Sequence, residues 1–168
     1  MSDKPCVEII TGIEGQLLKS VSNDNTGNAH FMYPGYICVT TENNAPIIYV
    51  SDPGTRTITR LSEQLEVLHT FFKVPTENGP YGMASAGGGQ LLVRGLRPTA
   101  PSLPTLMLLD TGTGEFTEKQ RGIIKMTVWF VGFVAFCPRL GRVYVNAGNR
   151  AGNECITVYE ISNCFSET

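Results

Sequence analysis

Four arginines, Arg56, Arg94, Arg97 and Arg150, are the side chains whose type and placement suggest chemistry. A guanidinium presents a planar fork of donors that pairs bidentately with oxyanions, so arginines gathered on one rim would recognise an acidic peptide or a carboxylate. The rest of the inventory is thin. His30 and His69 have no partner at a recognisable spacing. The five cysteines (Cys6, Cys38, Cys137, Cys155 and Cys164) are odd in number, widely spread and without a Cys-x-x-Cys pair, a pattern that suits reduced, mostly buried thiols better than zinc. Gly87-Gly88-Gly89 lacks the Lys-Ser/Thr and the following helix of a phosphate cradle, and reads as a hairpin turn. Nucleophile-elbow, His-Glu-x-x-His and dinucleotide signatures are missing. These residues predict no catalytic group, no metal and no cofactor, and so a chain that is not an enzyme.

The elements that must position the arginines emerge from composition and period. With 42% apolar residues, 17% charged residues, 18 Gly and 10 Pro, the 168-residue chain can fill one core and suits short strands joined by tight turns. Its formal net charge of −2 gives no general pull toward nucleic acid. Ile10, Ile58, Leu106 and Ile156 open similar strand-and-turn segments at intervals of 48, 48 and 50 residues. A second series begins at Gly35, Gly82 and Gly132, at intervals of 47 and 50 residues, and a third strand signal lies between the two at 47–50, 91–93 and 143–145. Segments such as Leu65-Glu66-Val67-Leu68-His69-Thr70-Phe71-Phe72 supply a fourth strand. Four antiparallel strands in about 48 residues is the size of one propeller blade. The middle strands are apolar at consecutive positions, as expected of a sheet covered on both faces. A helical repeat of the same length is excluded, because no unit offers a long 3.6-period run free of Gly and Pro.

The predicted fold is therefore an all-β partial β-propeller of about three and a half four-stranded blades. Residues 1–168 form a single propeller-type domain, with a partial blade at 7–21, blades at 30–73 and 80–120, and a blade lacking its last strand at 127–162. A closed ring needs at least four blades. The expectation is a fragment of a longer propeller, or a chain that self-associates through open blade edges. The apolar run at 126–136 is too short for a membrane-spanning helix and reads as a buried strand, with Trp129 and Phe130 in the core. The N-terminus shows no signal peptide, which points to the cytoplasm. The proline-spaced insertion at 97–104 reads as a stiff exposed loop.

Pro34-Gly35-Tyr36-Ile37-Cys38-Val39, followed by Ile48-Tyr49-Val50-Ser51-Asp52-Pro53-Gly54, resembles an NHL repeat, and Gly79-Pro80-Tyr81-Gly82-Met83-Ala84 and Gly132-Phe133-Val134-Ala135 repeat its opening. The turn aspartate of the first full unit, Asp52, is replaced by Gly95 and Ala147 in the next two. The resemblance implies a non-catalytic binding platform for a protein partner, similar to the substrate-recognition propeller of tripartite-motif ubiquitin ligases. In the full units Arg56, then Arg94 and Arg97, then Arg150 stand in or beside the connection between strands two and three, which would place the arginines on one rim. An RNA-binding NHL propeller is the alternative on the same rim. A second alternative is a metal-dependent lactonase-like hydrolase, because the 79–84 segment also resembles a strand of the gluconolactonase and senescence-marker family.

Overall fold

In the computed structural model the described residues are 5–12, 14–23, 28–71, 74, 79–96, 104–116, 124–125, 130–148 and 154–160. They form thirteen strands and one short 3-10 turn. The first sheet pairs β1 (Val7–Ile10) with β2 (Leu17–Val21). The second holds β3 (Tyr36–Glu42), β4 (Ala45–Asp52), β5 (Thr57–Ser62) and β6 (Val67–Phe71). The third holds β7 (Met83–Gly87), β8 (Gln90–Leu96), β9 (Pro104–Asp110) and β10 (Ile124–Lys125), and the fourth β11 (Phe130–Cys137), β12 (Arg142–Gly148) and β13 (Glu154–Glu160). Every sheet is an antiparallel meander in chain order, and none closes into a barrel. The all-β class expected from the sequence is the class observed.

Local chemistry sets the hairpins. Asn43 and Asn44, at φ of 50° and 62°, make the two-residue turn from β3 to β4, a left-handed pair that asparagine tolerates. Gly88 and Gly89 do the same between β7 and β8, so the triple glycine is a hairpin turn. The Ser62 hydroxyl accepts the amides of Gln64 (3.2 Å) and Glu66 (3.1 Å), which folds Ser62–Leu65 into a turn and delays β6 to Val67.

The sheets stack face to face, with β7 beside both β3 and β11. Tyr49, Ile58 and Cys38 of the second sheet pack on Leu91, Val93, Met107 and Leu109 of the third. Each such large apolar side chain contributes about 1.5–3 kcal/mol relative to exposure. On its other face, Val50 and Leu61 meet Val7 of the first sheet, with Phe31 and Leu65 closing the cluster. The consecutive burial of Tyr49, Val50, Ser51 and Asp52 in β4 follows from this two-sided cover. The two-stranded first sheet reaches only part of that face. Ile37 and Val39, opposite Val50 and Ile48 in register, remain 56% and 59% exposed.

Two details depart from the expected layout. Ile10 ends β1 instead of opening a strand, because Thr11 turns the chain: its amide donates to the Gln16 carbonyl (2.9 Å), its hydroxyl accepts the Gln16 amide (3.0 Å), and Gly15 takes φ 63°. The fourth strand of the third sheet, β10, lies at Ile124–Lys125, beyond residue 120 where that unit was expected to close. Trp129 falls outside the described residues. Among the described residues no helix is long and apolar enough to cross a membrane.

Candidate functional site

The site is built at the end of the sheets where β3 and β7 begin. Asp52, at the close of β4, organises it. Its wholly buried carboxylate accepts the amides of Gly54 (2.8 Å) and Thr55 (3.1 Å) within its own turn, and those of Met32 (2.6 Å) and Tyr33 (3.0 Å) from the segment entering β3. One side chain thus ties the entry of the second sheet to its β4–β5 turn. The neighbouring Ser51 donates its hydroxyl to the Tyr81 carbonyl (3.0 Å), joining this turn to the entry of the third sheet.

Tyr81 and Gly82 together oppose Arg94 in a bulge at the end of the β7–β8 ladder, through Tyr81 N–H to Arg94 O (2.9 Å) and Arg94 N–H to Gly82 O (2.8 Å). Strand alternation sends Arg94 to the face opposite Leu91 and Val93. Its guanidinium carbon lies 4.9 Å from the centroid of the Tyr81 ring. The residue is only 6% exposed, and its Nε has no hydrogen-bond partner. Burial pulls the Arg94 pKa below its ordinary value, with Tyr36 and Tyr81 acting in the opposite sense. Tyr36, the first residue of β3, meets Phe133 of β11 edge-on, with ring centroids 6.0 Å apart and planes at 77°. Phe133 is 69% exposed. Aromatics from three sheets therefore meet near the buried cation in the second half of β8.

The structure separates the predicted arginines. Arg56 sits exposed in the β4–β5 turn at φ 59°, whereas Arg94 is enclosed between sheets, so these two do not form a common solvated rim. Arg97 and Arg150 lie outside the described residues. Sequence reasoning missed Tyr36, Tyr81 and Phe133. The signal was an aromatic residue directly beside the glycine that opens each unit, in Gly35-Tyr36, Tyr81-Gly82 and Gly132-Phe133.

Among the described residues, Asp52 is the buried carboxylate of this end. Asp52 is occupied by four backbone amides, and among the described residues no group of three or more His, Cys, Asp or Glu is placed to hold a metal ion. The described residues thus do not assemble the carboxylate set that a lactonase-like metal site implies.

A stack of small antiparallel sheets of this kind defines a propeller-like architecture. No family model matches the chain, and neither does any curated protein. Among solved structures it is similar to a putative oxidoreductase (glucose dehydrogenase) from Thermus thermophilus, with a TM-score of 0.53 and 13% identity over 71% of this chain and 38% of that one. It is also similar to a luciferin-regenerating enzyme, with a TM-score of 0.48 and 18% identity over 77% and 40% of the two chains. The chain spans about two fifths of the length of each. The Thermus protein is named as an enzyme, and not as an NHL or ubiquitin-ligase propeller. The expectations of a non-catalytic platform for a protein partner and of a chain that is not an enzyme are corrected on that likeness.

Proposed function

We propose that this chain is part of a β-propeller enzyme that acts on a small, oxygen-rich molecule of the sugar or lactone class, bound where the inner strands begin. In this reading the four sheets are successive blades, about three and a half of them, and β3, β7 and β11 are the inner strands. The observation that carries the reading is Arg94, buried against the Tyr81 ring and near Tyr36, whose own ring meets Phe133. Ligand sites combine aromatic walls with a few fixed polar groups, and here the rings offer faces for the C–H edges of a sugar while the guanidinium offers donors to its oxygens. The fold shared with a protein named as a glucose dehydrogenase supports the same substrate class.

The test is direct titration of the full chain with glucose, gluconate and glucono-lactone by calorimetry, followed by assays of lactone hydrolysis and of dye-coupled sugar oxidation. Binding of at least one of these, weakened about tenfold or more in Tyr81→Ala, is the expected result. No heat and no turnover with any of the three overturns the proposal. Hydrolysis without oxidation, or the reverse, decides which enzyme class applies.

A further inference from the structure

The strand registers show that the sheets repeat one packing scheme. Val50, Val93 and Val145 hold the same place in β4, β8 and β12, and each is paired with an apolar residue of the strand before it, Ile37, Met83 or Val134. This face of a sheet looks back to its predecessor, as Val93 does toward Tyr49 and Val50 toward Val7. One residue on, Ser51, Arg94 and Asn146 pair with Ile58, Leu106 and Ile156 on the opposite face, which looks to the sheet that follows. The scheme is interrupted at both ends of the stack. Ile58 and Leu106 are wholly enclosed, whereas Ile156 is 74% exposed and Val158, on the same face of β13, 48%. Met83 and Val134 are buried, whereas Ile37 is 56% exposed and Val39, on the same face of β3, 59%.

We infer that these two faces are the halves of an interface between two copies of this chain: the Ile156 and Val158 face of one copy packs on Ile37 and Val39 of the other, and a reciprocal junction closes the pair. The repeat itself names the occupant, since between the second and third sheets a forward-looking face is covered by a backward-looking one. A second copy offers each open face its complement. The strand content fits as well. Among the described residues the fourth sheet holds three strands and the first sheet two, which reach Val50 and Leu61 but leave Ile37 and Val39 bare. Docked there, β11, β12 and β13 of one copy fill the room inside the first sheet of the other. Size agrees: 71% of this chain matches 38% of the Thermus protein, so two copies hold about as many residues as one such protein. A contact that joins two different patches closes only when its rotation returns to the start, here after two copies. The pairing is independent of which small molecule the site takes.

The experiment is light scattering coupled to size exclusion on the full chain and on Ile156→Asp and Ile37→Asp, two open positions where a charge is tolerated in the folded monomer, with melting curves confirming that each variant folds. Wild type is expected at the mass of two chains and each variant at the mass of one. At raised concentration an equimolar mixture of the two variants is expected to recover part of the two-chain mass, because one of its junctions joins two unaltered faces. A wild-type monomer overturns the inference, and so does a ladder of larger masses, which marks a contact that does not close. Two-chain mass kept in either variant alone overturns the head-to-tail arrangement, because each junction needs both faces. A mixture no more associated than its components overturns it as well. Where an aspartate variant does not fold, Ile156→Ser or Ile37→Ser takes its place under the same criteria.

Discussion

The hydroxyl of Tyr49 donates to Glu42 Oε1 at 2.6 Å across the β3–β4 pair, while the other oxygen of that carboxylate receives Arg60 at 2.6 Å. This network lies in the second sheet against a small polar cavity of about 50 Å³, walled by Thr40, Ser85, Thr111 and the Gly87–Gly89 turn. Burial, followed by the Glu42 carboxylate, pushes the Tyr49 pKa up from 10.0 to about 12. Because the folded value lies above the unfolded one, the folded chain holds this proton more tightly. The associated stability is fully present below pH 10 and is lost as pH rises toward 12. Urea midpoints measured from about pH 9 to 12 should fall more steeply for wild type than for Tyr49→Phe, which cannot ionise there. At about pH 7 the same substitution should cost about 2 kcal/mol, the worth of a hydrogen bond to a charged group. Parallel alkaline curves for the two proteins would overturn this.

Asp52 serves four amides with two oxygens: Oδ1 receives Tyr33, Gly54 and Thr55, and Oδ2 receives Met32. Asp52→Asn can keep an oxygen at the first position but then presents an NH2 group to the Met32 amide. Destabilisation of about 1–3 kcal/mol is expected for Asn and more for Ala, which leaves four backbone donors without the acceptor. Hydrogen exchange should show the Met32 amide losing protection in Asp52→Asn while the core strand β8 keeps its own. Unchanged exchange at Met32 would contradict the assignment.

Gly79 has φ 85°, and a Cβ built there would lie 2.6 Å from Pro53 Cα and 2.7 Å from its carbonyl oxygen. Both the left-handed backbone and the close approach exclude a side chain. Gly79→Ala should destabilise by at least about 2 kcal/mol. Gly12→Ala, where a Cβ would meet nothing within 4 Å, should stay within about 0.5 kcal/mol of wild type. Thermal or urea unfolding of the two variants checks the contrast.

Leu92 and Leu108 are wholly enclosed on the face of the third sheet that carries Arg94. Leu92→Ala should cost about 2–5 kcal/mol. Leu68→Ala, at a 45% exposed position, should cost far less. Similar losses at both positions in chemical denaturation would show that this face is not packed as described.

The period and polarity of the sequence carried the strand content. The signals at 47–50, 91–93 and 143–145 fall within β4, β8 and β12, because a strand covered on both faces must be apolar at consecutive positions, and that can be read locally. Turn chemistry was legible where it is local, as at Gly87-Gly88-Gly89, and deceptive where it is not: Ile10 matched the repeat, yet Thr11 and Gln16 close a turn behind it. What the arginines do was decided only by tertiary structure. The sequence puts Arg56 in, and Arg94 beside, the same connection of successive units, but one is held in an exposed turn and the other is enclosed against Tyr81 within β8. Desolvation depends on which neighbouring sheet lies above a side chain, and the meeting of Tyr36 with Phe133 depends on β7 running between β3 and β11. Pairings between residues 97 positions apart arise from sheet stacking, and no local pattern encodes them.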